Sequence, residues 1–415
     1  MNATLDLEQT ARIDLPRLLR RIAALGEVGA IDGGGVCRLA LTDEDGAGRD
    51  LVVSWMRELG LSVSIDGIGN VVGVRAGRED LPPVMTGSHI DTVRTGGRYD
   101  GNLGVLAGLE VMAALDDAGI VTRRPLAVAF FTNEEGARFA PDMMGSLVFQ
   151  GDLPLRQALD TRGIDGTTVG ENLARIGYAG PAPVGRNRVH AFVELHVEQG
   201  PVLEHEDITI GAVTGVQGIH WTEFTVEGTS NHAGTTPMRL RHDAGLVAAR
   251  IACFVRDLSR ELGSAQLATV GQVQFYPNLV NVIPNRAVFT VDLRNTDGAS
   301  LADAVQRTQA YAQDTAKAEG VRLTHRTLAD FAPVAFDEGM VARVEAIARR
   351  RGHSVRRMPS GAGHDAQMLA RMCPAGMIFV PSVGGLSHNV AELTYDHDIQ
   401  AGANVLLDLM LELAA

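Results

Sequence analysis

The feature that most constrains the fold of this chain is a set of short apolar runs that alternate with amphipathic helical stretches. Residues 50–60 ("DLVVSWMRELG") and 103–118 carry apolar residues at helical spacing. Four apolar runs lie between and after them: "NVVGV" at 70–74, "PVMTG" at 83–87, "LAVAFFT" at 126–132 and "MIFVPS" at 377–382. Such runs, flanked by helices, indicate strands buried on both faces of a mostly parallel sheet. We therefore predict an α/β fold whose main domain contains a mostly parallel mixed sheet.

Residues 217–328 follow a different pattern. The segment "IHWTEFTVEG" alternates, a helical stretch covers about 241–260, and "ATVGQVQF" and "AVFTVDLR" predict two more strands. A second helix at 301–319 and a last strand near 321–326 complete the order βαββαβ, which is the ferredoxin-like split unit. Because the pattern of buried strands resumes afterwards with "MIFVPS", we predict that this unit is inserted into the α/β domain.

The length of the chain agrees with two domains. A single core usually splits beyond roughly 250–300 residues, and this chain has 415. We predict a main domain at residues 1–212 and 329–415 and an inserted domain at residues 213–328.

Charge and cysteine content exclude several classes of protein. The chain has 50 acidic and 37 basic residues, a net charge of −13 and no basic run, which argues against nucleic acid or an anionic membrane as a partner. Its three cysteines (Cys37, Cys253 and Cys373) are odd in number and widely separated, which argues against a disulfide framework and a zinc-thiolate site. The acidic start and the lack of a long apolar stretch predict a cytoplasmic protein without a membrane span.

Polar side chains follow each predicted buried strand. In open α/β sheets, ligands bind at the carboxyl ends of the strands. The strands at 83–87, 126–132, 189–197 and 377–382 lead to or contain these side chains: His89, Glu134 and Glu135, Glu194 with His196 and Glu198, and His388. A glycine-rich loop after the first of these strands, "GSHIDTVRTGGRYDGNLGV", adds two aspartates.

These residue types predict two divalent metals that share one carboxylate. Imidazoles and carboxylates without thiolates suit zinc, manganese, cobalt or nickel. We assign His89, Asp100 and His196 to one metal, and Asp100, Glu135 and His388 to the other. The glycines of the loop would let Asp100 fold back under His89 as the bridge.

Two further carboxylates have predicted roles beside the metals. Asp91 is expected to accept the free ring N–H of a ligating histidine, which would fix the tautomer of that histidine. Of the adjacent glutamates, Glu135 is assigned to metal binding and Glu134 to proton transfer as a general base and acid.

At this point the sequence resembles the M20-type metallohydrolases, and within them the amidase/hydantoinase/carbamoylase branch. The resemblance spans most of residues 36–394, in family order. It is carried by the segments "GSHIDTVRTGGRYDGNLGV", "TNEEGARF", "ELHVEQGPVLE", "NHAGTTPMRLRHDA", "NVIPNRAVFTVDLR", "SGAGHDAQ" and "MIFVPSVGGLSHN". The segment "ELHVEQGP" places His196 where the peptidases of the family usually supply a carboxylate ligand.

The resemblance implies two divalent metal ions per subunit and hydrolysis of the ureido C–N bond of a carboxylate-bearing substrate. An N-carbamoyl-L-amino acid would give the amino acid, carbon dioxide and ammonia. Allantoate, ureidoglycine-like compounds and N-carbamoyl-β-alanine remain alternatives, the last being the substrate of a β-ureidopropionase. The resemblance also implies a homodimer in which the inserted domain is a lid that contributes to catalysis.

Further site residues are implied by the same resemblance. His232 would help to polarise the scissile carbonyl from the lid, while Asn281 and Arg294 would bind the substrate carboxylate, since a guanidinium matches a carboxylate bidentately. Gln199 would touch the polar end of the substrate, and His364 would be an active-site contact close to the metals. Cys37, in place of the usual threonine, and the lack of a glycine before Asn281 are small departures that leave the substrate open.

Two rival functions can be weighed on the sequence. An M20 exopeptidase or deacylase would act on a peptide or acyl amide, and His196 in place of a carboxylate argues against it. A metal-dependent binding or scaffold protein would have lost catalysis, but Glu134 and the whole predicted ligand set are present.

Overall fold

The structure is a computed structural model that describes residues 11–185 and 188–415. In chain order its helices are α1 (Leu15–Gly26), α2 (Asp43–Glu58), α3 (Asn102–Asp117), α4 (Met144–Gln150), α5 (Leu155–Leu159), α6 (Val169–Ile176), α7 (Val202–His205), α8 (Ala244–Leu262), α9 (Gly298–Glu319), α10 (Glu338–Arg350), α11 (Asp365–Leu369) and α12 (Asp396–Leu413). Short 3₁₀ turns lie at Met238–Leu240 and Val383–Gly385.

The strands are β1 (Ser62–Ile65), β2 (Val71–Arg75), β3 (Val84–His89), β4 (Leu126–Phe131), β5 (Ala191–Val197), β6 (Ile210–Val216), β7 (Gly218–Glu227), β8 (Leu267–Thr269), β9 (Val273–Tyr276), β10 (Arg286–Asn295), β11 (Arg322–Phe331), β12 (Val334–Ala335), β13 (Val355–Ser360) and β14 (Ala375–Val380). The chain divides into two compact units, of which the second is Gly215–Ala335 and the first is the remainder.

The first unit is built on one mixed sheet with the strand order β1-β2-β4-β3-β5-β14-β6, and β13 also pairs with β6. The pairings β4-β3, β3-β5 and β5-β14 are parallel, whereas β2 and β6 join their neighbours antiparallel. Every residue of β3, β4, β5 and β14 is buried, as expected for parallel strands covered on both faces. The predicted mixed α/β fold with a mostly parallel central sheet is confirmed.

Helix α3 begins shortly after Asp100, the second aspartate of the glycine-rich loop. Its residues Asn102–Leu115 are all buried, and it packs against β3, β5 and α12. A helix that is apolar on all sides requires burial on all sides, so α3 fixes the position of the loop that precedes it.

The second unit contains a five-stranded antiparallel sheet in the order β11-β7-β10-β8, with β9 also paired to β10. Burial alternates along β7 and β10, and their buried faces form one core with α8 and α9. The element sequence is therefore strand, helix, two short strands, strand, helix, strand.

The second unit differs from the sequence prediction in two details. The segment "ATVGQVQF" forms two strands, β8 and β9, because residues 270–272 between them do not pair with β10. Strand β11 extends to Phe331, so the predicted boundary at 328 falls inside a strand. Among the described residues, no helix combines the length and the apolar character that a membrane crossing requires.

Candidate metal centre

The carboxyl ends of four parallel strands bring the predicted ligands together. His89 is the last residue of β3, His196 lies near the end of β5, and the loops after β4 and β14 carry the twin glutamates and His388. A cavity of about 120 Å³ lies at this edge of the sheet, lined by His89, Asp100, Glu134, Glu135, Asp142, His196, Gln199, Ala362, Gly363, His364 and His388. Parallel strands place their carboxyl ends side by side, which explains why residues so distant in the chain meet here.

The first cluster consists of His89, Asp100 and His196, all of which are buried. The Oδ1 atom of Asp100 lies 3.6 Å from Nε2 of His89 and 3.2 Å from Nε2 of His196. The Nδ1 atoms face backbone carbonyls, 2.9 Å from the Asp91 oxygen and 2.8 Å from the Val197 oxygen. When Nδ1–H donates to a carbonyl, Nε2 carries the lone pair that a metal would take. In this structure Nε2 of His196 accepts the backbone N–H of Gly101 at 3.2 Å.

The second cluster uses the other oxygen of the same aspartate. The Oδ2 atom of Asp100 lies 3.4 Å from Nε2 of His388, which is in turn 3.2 Å from Oε2 of Glu135. The side chain of His388 is 49% exposed, so this cluster opens to solvent whereas the first does not.

The donor atoms of each cluster suit a divalent cation. In both clusters they lie within 4.8 Å of one another. Ligand bonds of about 2.0–2.2 Å to zinc place neighbouring ligand atoms at about 3–3.6 Å in a tetrahedral site. The spacing, the imidazoles and the carboxylates therefore fit metal binding, and Asp100 has one oxygen for each cluster.

A third group, Glu194, His196 and His364, has ligand atoms equally close together. However, the Glu194 carboxylate already accepts the Ser88 hydroxyl at 2.6 Å and the Ala366 N–H at 2.8 Å. Glu194 therefore links its own strand to β3 and to the start of α11.

Glu134 lies beside the first cluster, with Oε2 at 3.4 Å from Nε2 of His89. Burial raises the pKa of Glu134 well above its usual value; the charge on His89 opposes this shift, and the nearby Asp365 and Glu135 add to it. A carboxyl group that holds a proton closer to neutral pH is suited to proton transfer.

The prediction for Asp91 is wrong in its partner. His89 contacts the backbone oxygen of Asp91, while the Asp91 carboxylate accepts the backbone N–H groups of Glu134 at 3.2 Å and Glu135 at 3.3 Å. The physical reason is the turn after β3, which directs the carbonyl towards the ring and leaves the side chain facing the loop after β4. Asp91 thus orients both glutamates.

Gln199 contacts the shared aspartate. Its side-chain amide donates to Oδ2 of Asp100 at 2.9 Å, and the Ser387 hydroxyl donates to the same oxygen at 2.9 Å. The backbone of Gln199 has a φ of +58° and that of His388 has a φ of +53°, which is uncommon for residues with side chains and marks tightly shaped loops.

His364 is fully buried behind the first cluster. Its ring lies 4.6 Å from that of His196 in an edge-to-face arrangement, and its Nε2 is 2.8 Å from the Ser360 hydroxyl. Burial, together with the neighbouring His196, lowers the pKa of His364 well below its usual value, so this imidazole is neutral.

The chain is similar to known proteins along almost its entire length. Residues 85–412 match Peptidase family M20/M25/M40. An N-carbamoyl-L-amino-acid amidohydrolase of Rhizobium meliloti is 43% identical over 407 residues, which cover 98% of this chain and 98% of that protein. The chain belongs to the M20/M25/M40 family.

Within this family the chain is similar to hydantoinase/carbamoylase amidases, as the sequence motifs predict. The crystal structure of such an amidase from Burkholderia multivorans is 48% identical and superimposes with a TM-score of 0.96, covering 97% of this chain and 98% of that chain. An allantoate amidohydrolase of Bacillus subtilis is 36% identical over 393 residues, which cover 94% of this chain and 95% of that protein.

The remaining predicted residues of this M20/M25/M40 protein lie in the second unit. His232 is exposed and pairs with Val282 in an isolated antiparallel β-bridge. The backbone N–H of the next residue, Ala233, donates to the backbone carbonyl oxygen of Asn281 at 2.9 Å. Arg294 lies on β10, where it forms hydrogen bonds of 2.9–3.1 Å with Asp292. The unit therefore brings His232 and Asn281 together and holds Arg294 elsewhere.

Sequence reasoning missed three residues of the centre in this family member: Asp142, Ser387 and Glu392. Asp142 lines the cavity, and Glu392 accepts backbone N–H groups beside Asp100. Only Ser387 had a signal, since it precedes His388 in "GGLSHN". Asp142 and Glu392 lie farther along the loops that follow β4 and β14, several residues beyond the side chains that the strand ends indicate.

Proposed function

We propose that this protein is a dinuclear metal-dependent amidohydrolase that cleaves the ureido C–N bond of an N-carbamoyl-L-amino acid. The observation that carries the proposal is the shared carboxylate of Asp100, whose two oxygens each face a histidine of a different cluster. The full-length similarity to an N-carbamoyl-L-amino-acid amidohydrolase supports the choice of substrate. The proposed reaction is the hydrolysis of a C–N bond other than a peptide bond.

The two clusters would each hold one divalent ion, zinc or alternatively manganese, cobalt or nickel. His89, Asp100 and His196 would hold the first, and Asp100, Glu135 and His388 the second. Bound ions of this kind supply Lewis acidity, which activates water and polarises a carbonyl group.

Glu134 would carry the proton. It accepts a proton as the water attacks the ureido carbonyl carbon, and it returns that proton to the amino-acid nitrogen as the C–N bond breaks. The products are the free amino acid and carbamate, and carbamate decomposes to carbon dioxide and ammonia. The contact of the Asp91 carboxylate with the backbone of both glutamates supports this role.

The second unit would be a ferredoxin-like lid and dimerisation domain. In this proposal, His232 stabilises the negative charge on the carbonyl oxygen, and Asn281 with Arg294 binds the substrate carboxylate. Gln199 and His364 belong to the first unit, where both line the metal-centre cavity, and would contact the substrate there.

The layout of the second unit supports an active site made from two chains. His232 and Asn281 lie next to the start of β10, while Arg294 is near its end. At about 3.4 Å per residue, Arg294 is about 27 Å along the strand from Arg286. A small ureido acid is much shorter than this, so one substrate would take His232 from one chain and Arg294 from the other.

Exposed apolar residues around His232 and Asn281 support a homodimer. Four of them are largely exposed: Met238 at 74%, Leu240 at 52%, Leu279 at 59% and Val280 at 107%. Apolar side chains that are exposed to this degree and close in the chain to His232 and Asn281 are consistent with a protein–protein interface. We propose that the partner chain covers this end of the lid.

Substrate choice is tested by ammonia release from N-carbamoyl-L-methionine, allantoate and N-carbamoyl-β-alanine. We expect the highest kcat/KM on the first. A preference for allantoate would favour the alternative function of allantoate amidohydrolase, which the Bacillus subtilis relative supports. A preference for N-carbamoyl-β-alanine would make it a β-ureidopropionase, and cleavage of dipeptides or acyl amides alone would make it an exopeptidase or deacylase. A cytoplasmic location stays a prediction from the sequence.

Metal dependence is tested by chelation and by the Asp100→Asn variant. Removal of metal should abolish turnover, and zinc, manganese, cobalt or nickel should restore it. Asp100→Asn should lose metal from both positions, because it removes the negative charge of the carboxylate that faces both clusters. Full activity in a sample verified to be free of metal would exclude the proposal.

A further inference from the structure

Glu392 is a buried carboxylate beside the metal centre for which the proposed reaction has no use. It is 6% exposed and follows His388 by four residues. Its Oε1 atom accepts the backbone N–H of Tyr99 at 2.9 Å and that of Asp100 at 3.1 Å. Glu392 therefore fixes the backbone from which the shared carboxylate of Asp100 extends.

The other oxygen of Glu392 reaches the side chain of Asp100 through a serine. Oε2 of Glu392 lies 3.4 Å from the Ser387 hydroxyl, and that hydroxyl lies 2.9 Å from Oδ2 of Asp100. Ser387 is adjacent to His388, so Glu392 connects the loop that carries His388 with the loop that carries Asp100.

The chain leaves space for this carboxylate at Gly97. A Cβ atom on Gly97 would lie 2.2 Å from Oε1 and 2.4 Å from Cβ of Glu392. Both distances are far shorter than a van der Waals contact, so any side chain at position 97 would displace Glu392. The φ angle of Gly97 is not positive, so its backbone conformation does not require glycine. The close approach of the Glu392 side chain does.

The two clusters do not depend equally on these contacts. His89 and His196 belong to buried strands, and each has its Nδ1 on a backbone carbonyl. His388 lies on a loop, with its side chain 49% exposed, and its neighbour Ser387 contacts Glu392. Loss of Glu392 should therefore affect the second cluster more than the first.

We infer that Glu392 is the positioning residue of the second metal position. It keeps Asp100 and the loop of His388 in fixed positions relative to each other, and Gly97 leaves the space that the Glu392 side chain occupies. This inference rests on the proposed two-metal function. Outer partners of metal ligands typically change metal affinity by about 10–100-fold when removed.

The test is a titration of the metal-free, full-length protein with zinc alone, measured by equilibrium dialysis. The parent should bind two equivalents. Glu392→Ala should bind the first with nearly parental affinity and the second about 10–100-fold more weakly. Gly97→Ala, which leaves the carboxylate in the chain but removes its space, should give the same pattern. Glu392→Gln retains an oxygen that can accept both N–H groups and should stay within a few-fold of the parent.

Glu110→Ala is the matched control. Glu110 is also a buried carboxylate that accepts a backbone N–H, that of Asp14 at 3.0 Å, but its other contacts are ion pairs with Arg17 and Arg21 rather than the loops of Asp100 and His388. We expect this variant to lose thermal stability and to keep both zinc affinities. If Glu110→Ala weakened the second equivalent as much as Glu392→Ala, the effect would be general destabilisation and the inference would be overturned.

The outcomes also separate this inference from the proposed function. A parent with two equivalents and a Glu392→Ala variant with unchanged affinities, or with both affinities reduced alike, overturns the inference alone. A parent that binds a single equivalent overturns the two-metal proposal and the inference together.

Discussion

His89 is joined to Asp91 through the backbone: Nδ1 of the histidine lies 2.9 Å from the carbonyl oxygen of Asp91, while the carboxylate of Asp91 faces the opposite way. The carboxylate oxygens instead accept the N–H groups of Glu134 and Glu135, one oxygen for each. The aspartate thus contacts both a proposed metal ligand and the proposed proton carrier, through different groups.

This arrangement predicts the behaviour of Asp91→Asn. An asparagine has only one acceptor oxygen, and its NH₂ group would face the N–H of a glutamate, so the glutamates should shift and turnover should fall by about 10–100-fold. The first zinc equivalent should be retained, because the contact with His89 is made by the backbone. Zinc content and kcat are measured on the same sample, and loss of the first equivalent would place the carboxylate on His89 after all.

The twin glutamates should separate in their effects. Glu134→Gln should keep both metals yet lose turnover by about 10²–10⁴-fold, the usual range for general acid–base catalysis. Glu135→Gln should instead lower metal occupancy, since Oε2 of Glu135 contacts His388. Metal analysis beside steady-state kinetics decides the matter, and the opposite pattern would exchange the two roles.

Arg294→Ala should weaken binding of substrates that carry a free carboxylate. Hydrogen bonds to charged groups contribute about 1.5–3 kcal/mol, so KM should rise by at least about tenfold. Amidated analogues should be poor substrates of the parent, and the substitution should leave their turnover unchanged. Arg326→Ala is a suitable control, because Arg326 is likewise ion-paired in the same sheet, with Glu223. An unchanged preference for the free carboxylate would remove Arg294 from the site.

Mixed dimers test whether the active site uses two chains. Glu134→Gln and His232→Ala should each be inactive or nearly so alone. When they are co-expressed, a chain with intact Glu134 can receive His232 of its neighbour, so one site of each mixed dimer is whole. Random pairing makes about half of the dimers mixed, which restores about a quarter of the parental activity under two-fold symmetry. Purified mixed dimers without activity would mean that His232 serves its own chain or takes no part.

Asp66 should give a pH dependence of stability that is independent of metal. It is 6% exposed, its carboxylate accepts the N–H groups of Ile68 and Asn70, and Arg49 is the charged group facing it. Burial raises the pKa of Asp66 to about 6. The folded state therefore binds this proton more tightly than the unfolded state, and stability falls as pH rises from about 4 to about 6.

The Asp66→Asn variant isolates this contribution. The free energy of unfolding of the parent minus that of the variant should decrease by on the order of 2 kcal/mol between pH 4.5 and pH 7. Urea unfolding of metal-free protein at each pH provides the measurement. A constant or rising difference would contradict the assignment.

The clustering of the proposed ligands could be predicted from the sequence because it depends on local properties. A buried strand is recognisable from its own residues, and the side chains at its carboxyl end belong to the next few positions of the chain. His89, Glu135, His196 and His388 are all of this kind, and so is the mixed α/β fold itself. The resemblance to the family added the second unit's residues, which no strand end indicated.

Only the tertiary structure decided which atoms contact which. Whether the carbonyl or the carboxylate of Asp91 faces His89 depends on a turn, and the contact of Glu392 with Asp100 joins positions 292 residues apart in the chain. Likewise, the separation of His232 from Arg294 results from the antiparallel pairing of β7 with β10. Hydrogen bonds are directional and short-ranged, so they are determined by side-chain orientation after packing, which the order of residues along the chain does not specify.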